Sequence, residues 1–366
     1  MSIRILHAAD LHLDSPFEAL PAGKAAQRRQ EQRLLIARIA QAVKDNGVQL
    51  VLLSGDLLDT GSAYRETSMT LIDILGRIEC PVFIAPGNHD YYSLHSPYAK
   101  LHWPENVYIF STPHVECIPI PELNVRVWGA AFTEPRSGPL LRGFEAEKEE
   151  NIIDIMCIHG DVGNDASPYN PVSEEQISRS GMDYIGFGHI HKASGLRRAG
   201  DTFYAWPGCP EGRGFDETGN KSVYIADITE NNCKLRGINL AMRKYEIMRI
   251  RIADGEEILT KMPEYTENDI YRIILTGRTQ SPPDIAQMMQ QLEPRFFALQ
   301  IIDRTKMSRN IWDHSDENTL RGVFLKRLVK AYDEATTDQE RELIERAARW
   351  GIAALENEEE VSPLED

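Results

Sequence analysis

Cysteine is scarce in this chain and carries no pairing pattern. Cys80, Cys117, Cys157, Cys209 and Cys233 are an odd number without the close spacing of a zinc site. A disulfide framework is excluded as the organising device, and reduced thiols in the cytoplasm are the expectation. Long hydrophobic runs are absent too. No stretch reaches the length of a membrane span, and Met1 leads at once into a strand-like run with no signal-peptide profile, so neither a membrane nor a secreted location is expected. Repeats and long low-complexity tracts are missing as well. Positive charge is in short supply: 40 Lys and Arg stand against 56 Asp and Glu, and the formal net charge of −16 argues against generic adhesion to nucleic acid. Part of that excess sits in the acidic stretch Glu356 to Glu360 with Glu365 and Asp366. Local basic groups, Arg28, Arg29 and Arg33 or Lys192, Arg197 and Arg198, read first as solvated faces.

What the chain does contain is a set of short apolar runs that each end on metal-binding residue types. Ile3 to Ala9 runs into Asp10-Leu-His12, Leu50 to Leu53 into Gly55-Asp56-Leu-Leu-Asp59, and Val82 to Ala85 into Gly87-Asn88-His89-Asp90. Ile152 to Ile158 runs into His159-Gly160, and Tyr184 to Phe187 into Gly188-His189-Ile-His191. Runs of this length, rich in Val, Ile and Leu and bounded by Gly or Pro, predict buried strands of an α/β or α+β sheet. The polar residues then gather along one sheet edge, where loops can aim them at one point. Oxygen donors (Asp10, Asp56, Asn88) mix with imidazoles (His12, His159, His189, His191), a set that suits manganese, iron or zinc better than calcium or magnesium. Seven ligands are too many for one tetrahedral zinc and fit two metals sharing a carboxylate.

Taken singly, these pieces are weak. An isolated Asp-x-His or Gly-Asp is an ordinary strand-to-turn junction, and a lone strand histidine is usually a satisfied core residue. Gly87-Asn88-His89-Asp90 is sharper, because a turn needs Gly and Asn for positive φ but has no need of the His-Asp pair that follows. Placement decides the matter: five of the ten histidines stand at these strand ends.

In this order the motifs resemble those of calcineurin-like metallophosphoesterases. Within that superfamily, His7-Ala-Ala-Asp-Leu-His-Leu-Asp-Ser-Pro-Phe17, Gly55-Asp-Leu-Leu-Asp-Thr-Gly61, Gly188-His-Ile-His-Lys192 and Pro207-Gly-Cys-Pro-Glu-Gly-Arg213 are similar to SbcD-type DNA repair exonucleases, above all their YhaO branch. The resemblance implies one metal on Asp10, His12 and His191 and another on Asn88, His159 and His189, with Asp56 bridging. His89 is then the general acid for the leaving oxygen, oriented by Asp59 or Asp90, for which a turn cap is the plainer role. Protein Ser/Thr phosphatases carry an Arg after the second Asp and Gly-Asn-His-Glu. Thr60 and Asp90 stand there in this chain, which favours a phosphodiester, with one charge less to neutralise. Arg213 suits either a phosphate contact or a structural role, and Cys209 reads as packing.

The expected fold is α+β: a four-layer αββα metallophosphoesterase sandwich over residues 1–240, a small α+β capping domain over 241–305, and a helical C-terminal region over 306–366. Helices are predicted at about Gln27 to Asn46 and Glu66 to Ile78. Capping boxes are read at Ser173-Glu-Glu-Gln176 and Thr337-Asp-Gln-Glu340. In the capping region Tyr245 to Ile252, Ile270 to Leu275 and Phe296 to Ile302 read as strands, with a helix near Pro283 to Leu292. Leu320, Phe324, Leu328 and Ala331, then Ile344, Ala347, Gly351 and Leu355, mark the apolar faces of a helical hairpin. The family associates its C-terminal region with an SMC-like (SbcC/YhaN-type) ATPase, and a nuclease this acidic depends on such a partner to hold DNA. The function expected is therefore a manganese-dependent DNA exonuclease in the cytoplasm. A cyclic-nucleotide phosphodiesterase and a metal-bound scaffold are the alternatives, and a homodimer stays open.

Overall fold

The computed structural model describes residues 1–59, 65–252, 261, 268–279, 282–307 and 311–355. Thr60 and the acidic stretch from Glu356 onward lie outside them. The chain forms two compact units. One comprises Met1–Met248, Pro263–Ile273 and Met289–Gln300, the other Arg249–Met262, Ile274–Met288 and Ile301–Asp366.

The larger unit opens with β1 (Ile3–Ala8), β2 (Leu50–Leu53), β3 (Val82–Ile84) and β4 (Val107–Ile109). There follow β5 (Glu116–Ile120), β6 (Val125–Gly129), β7 (Ile153–His159), the short pair β8 (Asp161–Val162) and β9 (Pro171–Val172), β10 (Tyr184–Gly188), β11 (Arg197–Ala199) and β12 (Thr202–Ala205). The unit then returns through β13 (Val223–Thr229) and β14 (Asn232–Ile238). One six-stranded sheet runs β14-β13-β1-β2-β3-β4 and the other β11-β12-β10-β7-β6-β5. In the first, β1 to β4 are parallel and β13 and β14 antiparallel; in the second, β6, β7, β10 and β12 are parallel between antiparallel edges.

Alternation along these strands builds the layers. Ile5, Leu50, Leu52 and Phe83 face Val127, Ile155, Cys157 and Tyr184 of the other sheet across a common core. Their neighbours Leu6, Val51, Leu53 and Ile84 turn the other way, onto Leu35, Ile36 and Ile39 of α1 (Ala22–Asp45) and Leu71 and Leu75 of α2 (Arg65–Gly76). Beyond the second sheet, Met156, Ile158, Ile185 and Phe187 pack with Ile177 of α4 (Glu174–Arg179), which follows the one-turn α3 (Pro97–Lys100) in the chain. The result is the four-layer α+β sandwich that the strand pattern predicts. Because the parallel strands are buried on both faces, their sequences are nearly continuous apolar runs.

Further on lie β15 (Tyr245–Ile252), β16 (Ile270–Thr279), α5 (Ile285–Leu292), β17 (Ala298–Asp303) and β18 (Lys306–Met307), with sheet order β15-β16-β17 and β18 also on β16. α6 (Leu320–Glu334) and α7 (Asp338–Leu355) form the helical hairpin. Ser173 caps α4 in a reciprocal box with Gln176, and Thr337 exchanges hydrogen bonds with Glu340 at the start of α7. The buried hairpin residues are Leu325 and Ala348, while Leu320 and Leu355 of the predicted stripe are exposed. Gly322 lies so close to the carbonyls of His314 and Glu317 that the preceding segment sets which face of α6 is covered. None of the helices, over the described residues, is long and apolar enough to cross a membrane.

One expectation is corrected here. Arg28 is buried, paired with Glu31 at 2.7 Å and Glu211 at 2.8 Å, and is no solvated face. Arg243 joins Glu31 at 2.7 Å.

Candidate metal centre

The seven predicted ligands all stand at or just beyond the carboxyl ends of β1, β2, β3, β7 and β10, the edge at which open parallel sheets present their loops. The loops after β1 and β2 are zipped together: Asp10 N donates to Gly55 O at 3.0 Å and His12 N to Asp56 O at 2.9 Å. Asp10, His12, Asp56 and His189 have φ of 54°, 43°, 51° and 92°, a left-handed region costly for side-chain-bearing residues, at about 1–3 kcal/mol each. Hydrogen bonding holds them there. A Cβ on Gly87 would run into the Asp56 carboxylate, and one on Gly188 into the Ser54 carbonyl, so both approaches require glycine.

Asp10, His12, Asp56 and His159 are buried. Ligand-type atoms of Asp10, His12 and His191, of His12, Asp56 and His89, and of Asp10, Asp56 and His159 each lie within 4.8 Å of one another. Asp56 Oδ2 stands 3.7 Å from His12 Nε2 and 3.5 Å from His159 Nε2, between the two groups of ligands. On one side His12 Nε2 faces His191 Nε2 at 3.2 Å. On the other, Asn88 Oδ1 is 3.0 Å from His159 Nε2 and 3.1 Å from His189 Nδ1.

The donor chemistry fits divalent cations. His12 Nδ1 is 3.2 Å from the Asp59 carboxylate and His191 Nδ1 is 2.7 Å from that of Glu217. Carboxylate oxygens accept, so these Nδ1 atoms carry the protons and the two Nε2 lone pairs point at each other. His159 Nδ1 likewise donates to Ser54 O at 2.9 Å, leaving its Nε2 lone pair facing the Asn88 oxygen. Converging lone pairs repel unless a cation lies among them.

The surrounding groups push the imidazoles apart in basicity. Burial alone would lower His191, but the Glu217 hydrogen bond and the Asp10 charge outweigh it and raise its pKa. His189 is lowered by burial and by neighbouring His159. Glu217 itself falls well below the usual carboxylate range: burial opposes this, and the hydrogen bonds from His191 and Arg213 prevail.

His89 sits against His12, with ring centroids 4.7 Å apart, and its Nδ1 donates to the Asp59 carbonyl at 3.0 Å. Asp59 therefore touches both rings, His12 through its carboxylate and His89 through its carbonyl. Asp90 does something else. Its oxygens accept from Gly87 N at 2.8 Å, Asp56 N at 3.2 Å, Leu57 N at 2.7 Å, Leu58 N at 3.2 Å and Tyr98 Oη at 2.6 Å, tying the loops after β2 and β3 together. Arg213 is held by Glu217 at 2.7 Å and Asp59 at 3.4 Å. Cys209 is buried, its thiol pushed up to about 12 by burial first and then by Glu217.

Sequence reasoning missed three neighbours. Glu217 stands behind His191, Tyr169 lies over the His189 ring at 5.0 Å, and the buried Asn170 donates to His159 O at 2.8 Å. No local signal marks any of them, because each acts on a residue distant in sequence.

Comparison with known proteins agrees with this geometry. Residues 3–193 match the family model for calcineurin-like phosphoesterase. The metallophosphoesterase YhaO of Bacillus subtilis is 30% identical over 252 residues, 63% of this chain and 58% of that protein, so the match spans less than two thirds of the relative's length. SbcD, one of the two components of the nuclease SbcCD of Staphylococcus epidermidis, is 21% identical over 346 residues, 86% of this chain and 87% of that one. Among solved structures, a dimetal phosphatase from Danio rerio aligns with 65% of this chain and 96% of its own at 12% identity and a TM-score of 0.43. With more than half its length matching the family model and the motif residues gathered at one sheet edge, the chain belongs to the calcineurin-like phosphoesterases, a family of metal-dependent hydrolases.

Proposed function

We propose that the chain is a two-metal phosphodiesterase that hydrolyses DNA, an SbcD-like repair exonuclease working beside an SMC-like ATPase. The observation that carries the two-metal reading is the Asp56 oxygen standing between His12 and His159 at 3.7 and 3.5 Å. Asp10, His12 and His191 would hold one ion, Asn88, His159 and His189 the other, with Asp56 shared; manganese suits the mixed donor set, and iron or zinc also fit. Bound there, divalent ions lower the pKa of water and neutralise phosphate oxygens.

The chain's own residues do the rest. With Nδ1 committed to the Asp59 carbonyl, His89 keeps Nε2 for the substrate, and half its side chain is open to solvent. A proton on Nε2 passes to the leaving oxygen, with the Asp59 carboxylate at 3.8 Å favouring the imidazolium. Asp90 and Asp59 keep the loops and rings in register for that transfer.

DNA as substrate is supported by the likeness to the Staphylococcus nuclease component along most of its length and by Thr60 and Asp90 at the positions that mark monoester enzymes. The division at about residues 240 and 305 and the docking role of the hairpin belong to the same proposal. A cyclic-nucleotide enzyme or a non-catalytic scaffold is the competing reading.

One manganese assay comparing end-labelled linear DNA, circular DNA and small diesters separates them. Shortening of linear DNA from its ends, with the circle spared, is expected. Rapid turnover of cyclic nucleotides with DNA intact overturns the proposal, as does no hydrolysis at all. For the partner, a chain ending near Thr305 should keep small-diester activity and lose association with the ATPase. Retained association combined with a melting point lower by several degrees makes the hairpin a structural element instead.

A further inference from the structure

One cleft of the larger unit belongs to none of the roles above. It encloses about 580 Å3 and is lined by Ser15, Phe17, Arg213, Phe215 and Arg272, with Glu217 in its wall. Glu217 is also the carboxylate 2.7 Å from His191 Nδ1, so the cleft begins one side chain away from a predicted ligand.

The cation that defines it is Arg272. Its guanidinium lies over the Phe215 ring, 3.9 Å from the centroid. Its Nε donates to Gln300 Oε1 at 3.0 Å, and Gln300 in turn donates through Nε2 to Ala19 O at 2.9 Å. Stacking and one hydrogen bond therefore fix the plane of the group and leave the four N–H donors of its two Nη atoms. Among the described residues no carboxylate pairs with Arg272, whereas Arg213 is taken by Glu217 and Asp59.

A planar fork held in place beside a phosphoester centre is matched to phosphate oxygens. Glu18 and Asp216, both exposed, line the same cleft and disfavour a dianion. The charge pattern thus selects a singly charged diester over a terminal monoester.

We propose that this cleft binds a backbone phosphate flanking the scissile phosphodiester of a nucleic-acid strand, gripped by Arg272; the proposal rests on the nucleic-acid reading above. The full chain with Arg272→Gln or Arg272→Lys would be assayed in manganese on linear DNA and on a nitrophenyl diester. The ratio of the two kcat/KM values should fall roughly 10- to 100-fold for Gln, mostly through KM on DNA, and less for Lys, as expected for a charged hydrogen bond removed. In parallel, single methylphosphonate linkages placed on either side of the cleaved bond remove one phosphate charge at a time. One position should slow the unaltered protein and leave the Gln variant indifferent.

An unchanged ratio, or equal losses on both substrates, overturns the proposal. So does the absence of any position-specific methylphosphonate effect in the unaltered protein, a measurement that needs no substituted chain to fold. Diester turnover with DNA untouched by the unaltered protein overturns the nucleic-acid reading first and the cleft with it.

Discussion

The two halves of the metal centre are built from the same residue types but are backed differently. His12 and His191 rest on carboxylates, Asp59 at 3.2 Å and Glu217 at 2.7 Å. His159 rests on the Ser54 carbonyl at 2.9 Å, with the Phe132 ring at 5.5 Å, and His189 lies under Tyr169 at 5.0 Å. A carboxylate behind an imidazole raises its basicity, and a neutral, buried setting lowers it. The opposite shifts of His191 and His189 follow that division. The lesson is that the ligand list alone does not fix how tightly each half holds its ion. What stands behind the ligands does.

The largest expected effect comes from removing what the halves share. Asp56→Asn should strip metal from both and abolish hydrolysis while circular dichroism stays unchanged. Near-normal metal content by elemental analysis, together with near-normal turnover, removes the shared-carboxylate arrangement.

His89→Ala comes next, because it leaves both halves intact and touches only the proton. Cleavage should slow roughly 10²- to 10⁴-fold with both metals retained, and the loss should shrink on a nitrophenyl diester, whose leaving oxygen needs less protonation. Equal losses on DNA and on the activated diester leave His89 with substrate positioning alone.

Glu217→Gln probes the comparison directly. It should weaken metal binding by roughly 10- to 100-fold in the half held by His12 and His191, and leave the other half near its original affinity, as read by titration of the metal-free protein. Weakening of both halves to the same extent would falsify the idea that each is tuned by its own backing.

The smallest effect concerns pH in the metal-free protein. Glu217 has a depressed carboxyl pKa, so its contribution to stability is present above the unfolded value of about 4.3 and is lost as pH falls through the native one. His191 is raised, so its contribution is complete below the unfolded value of about 6.5 and is lost as pH rises through the native one. Thermal melts across pH should show both flanks, and Glu217→Gln should flatten both, since the one carboxylate anchors the two shifts. A variant whose profile keeps the unaltered shape would show that this pair does not set it.

Much of the candidate site was legible in the sequence because its residues sit at the ends of strands whose apolar character is itself local. Asp10, Asp56, Asn88, His159 and His189 each follow a run of four to seven buried residues, and a strand end can be read from a dozen neighbouring letters. The helix over α1 was legible in its body but not at its start, since Pro21 and Ala22 begin it without a side-chain cap. The hairpin faces were misjudged by a fraction of a turn, because the covering segment before α6 is not encoded in the helix's own periodicity.

By itself the sequence determined the strand order of the ligands, the mixture of oxygen and imidazole donors and the shortage of basic surface. All of these depend on residue identity and near neighbours. Only the tertiary structure decided that Asp90 holds backbone amides, that Glu217 stands behind His191, that Arg28 is buried, and that Arg272 reaches a cleft beside the centre. Those facts join residues tens to hundreds of positions apart. They are set by the packing of two sheets and their loops, which no local pattern records.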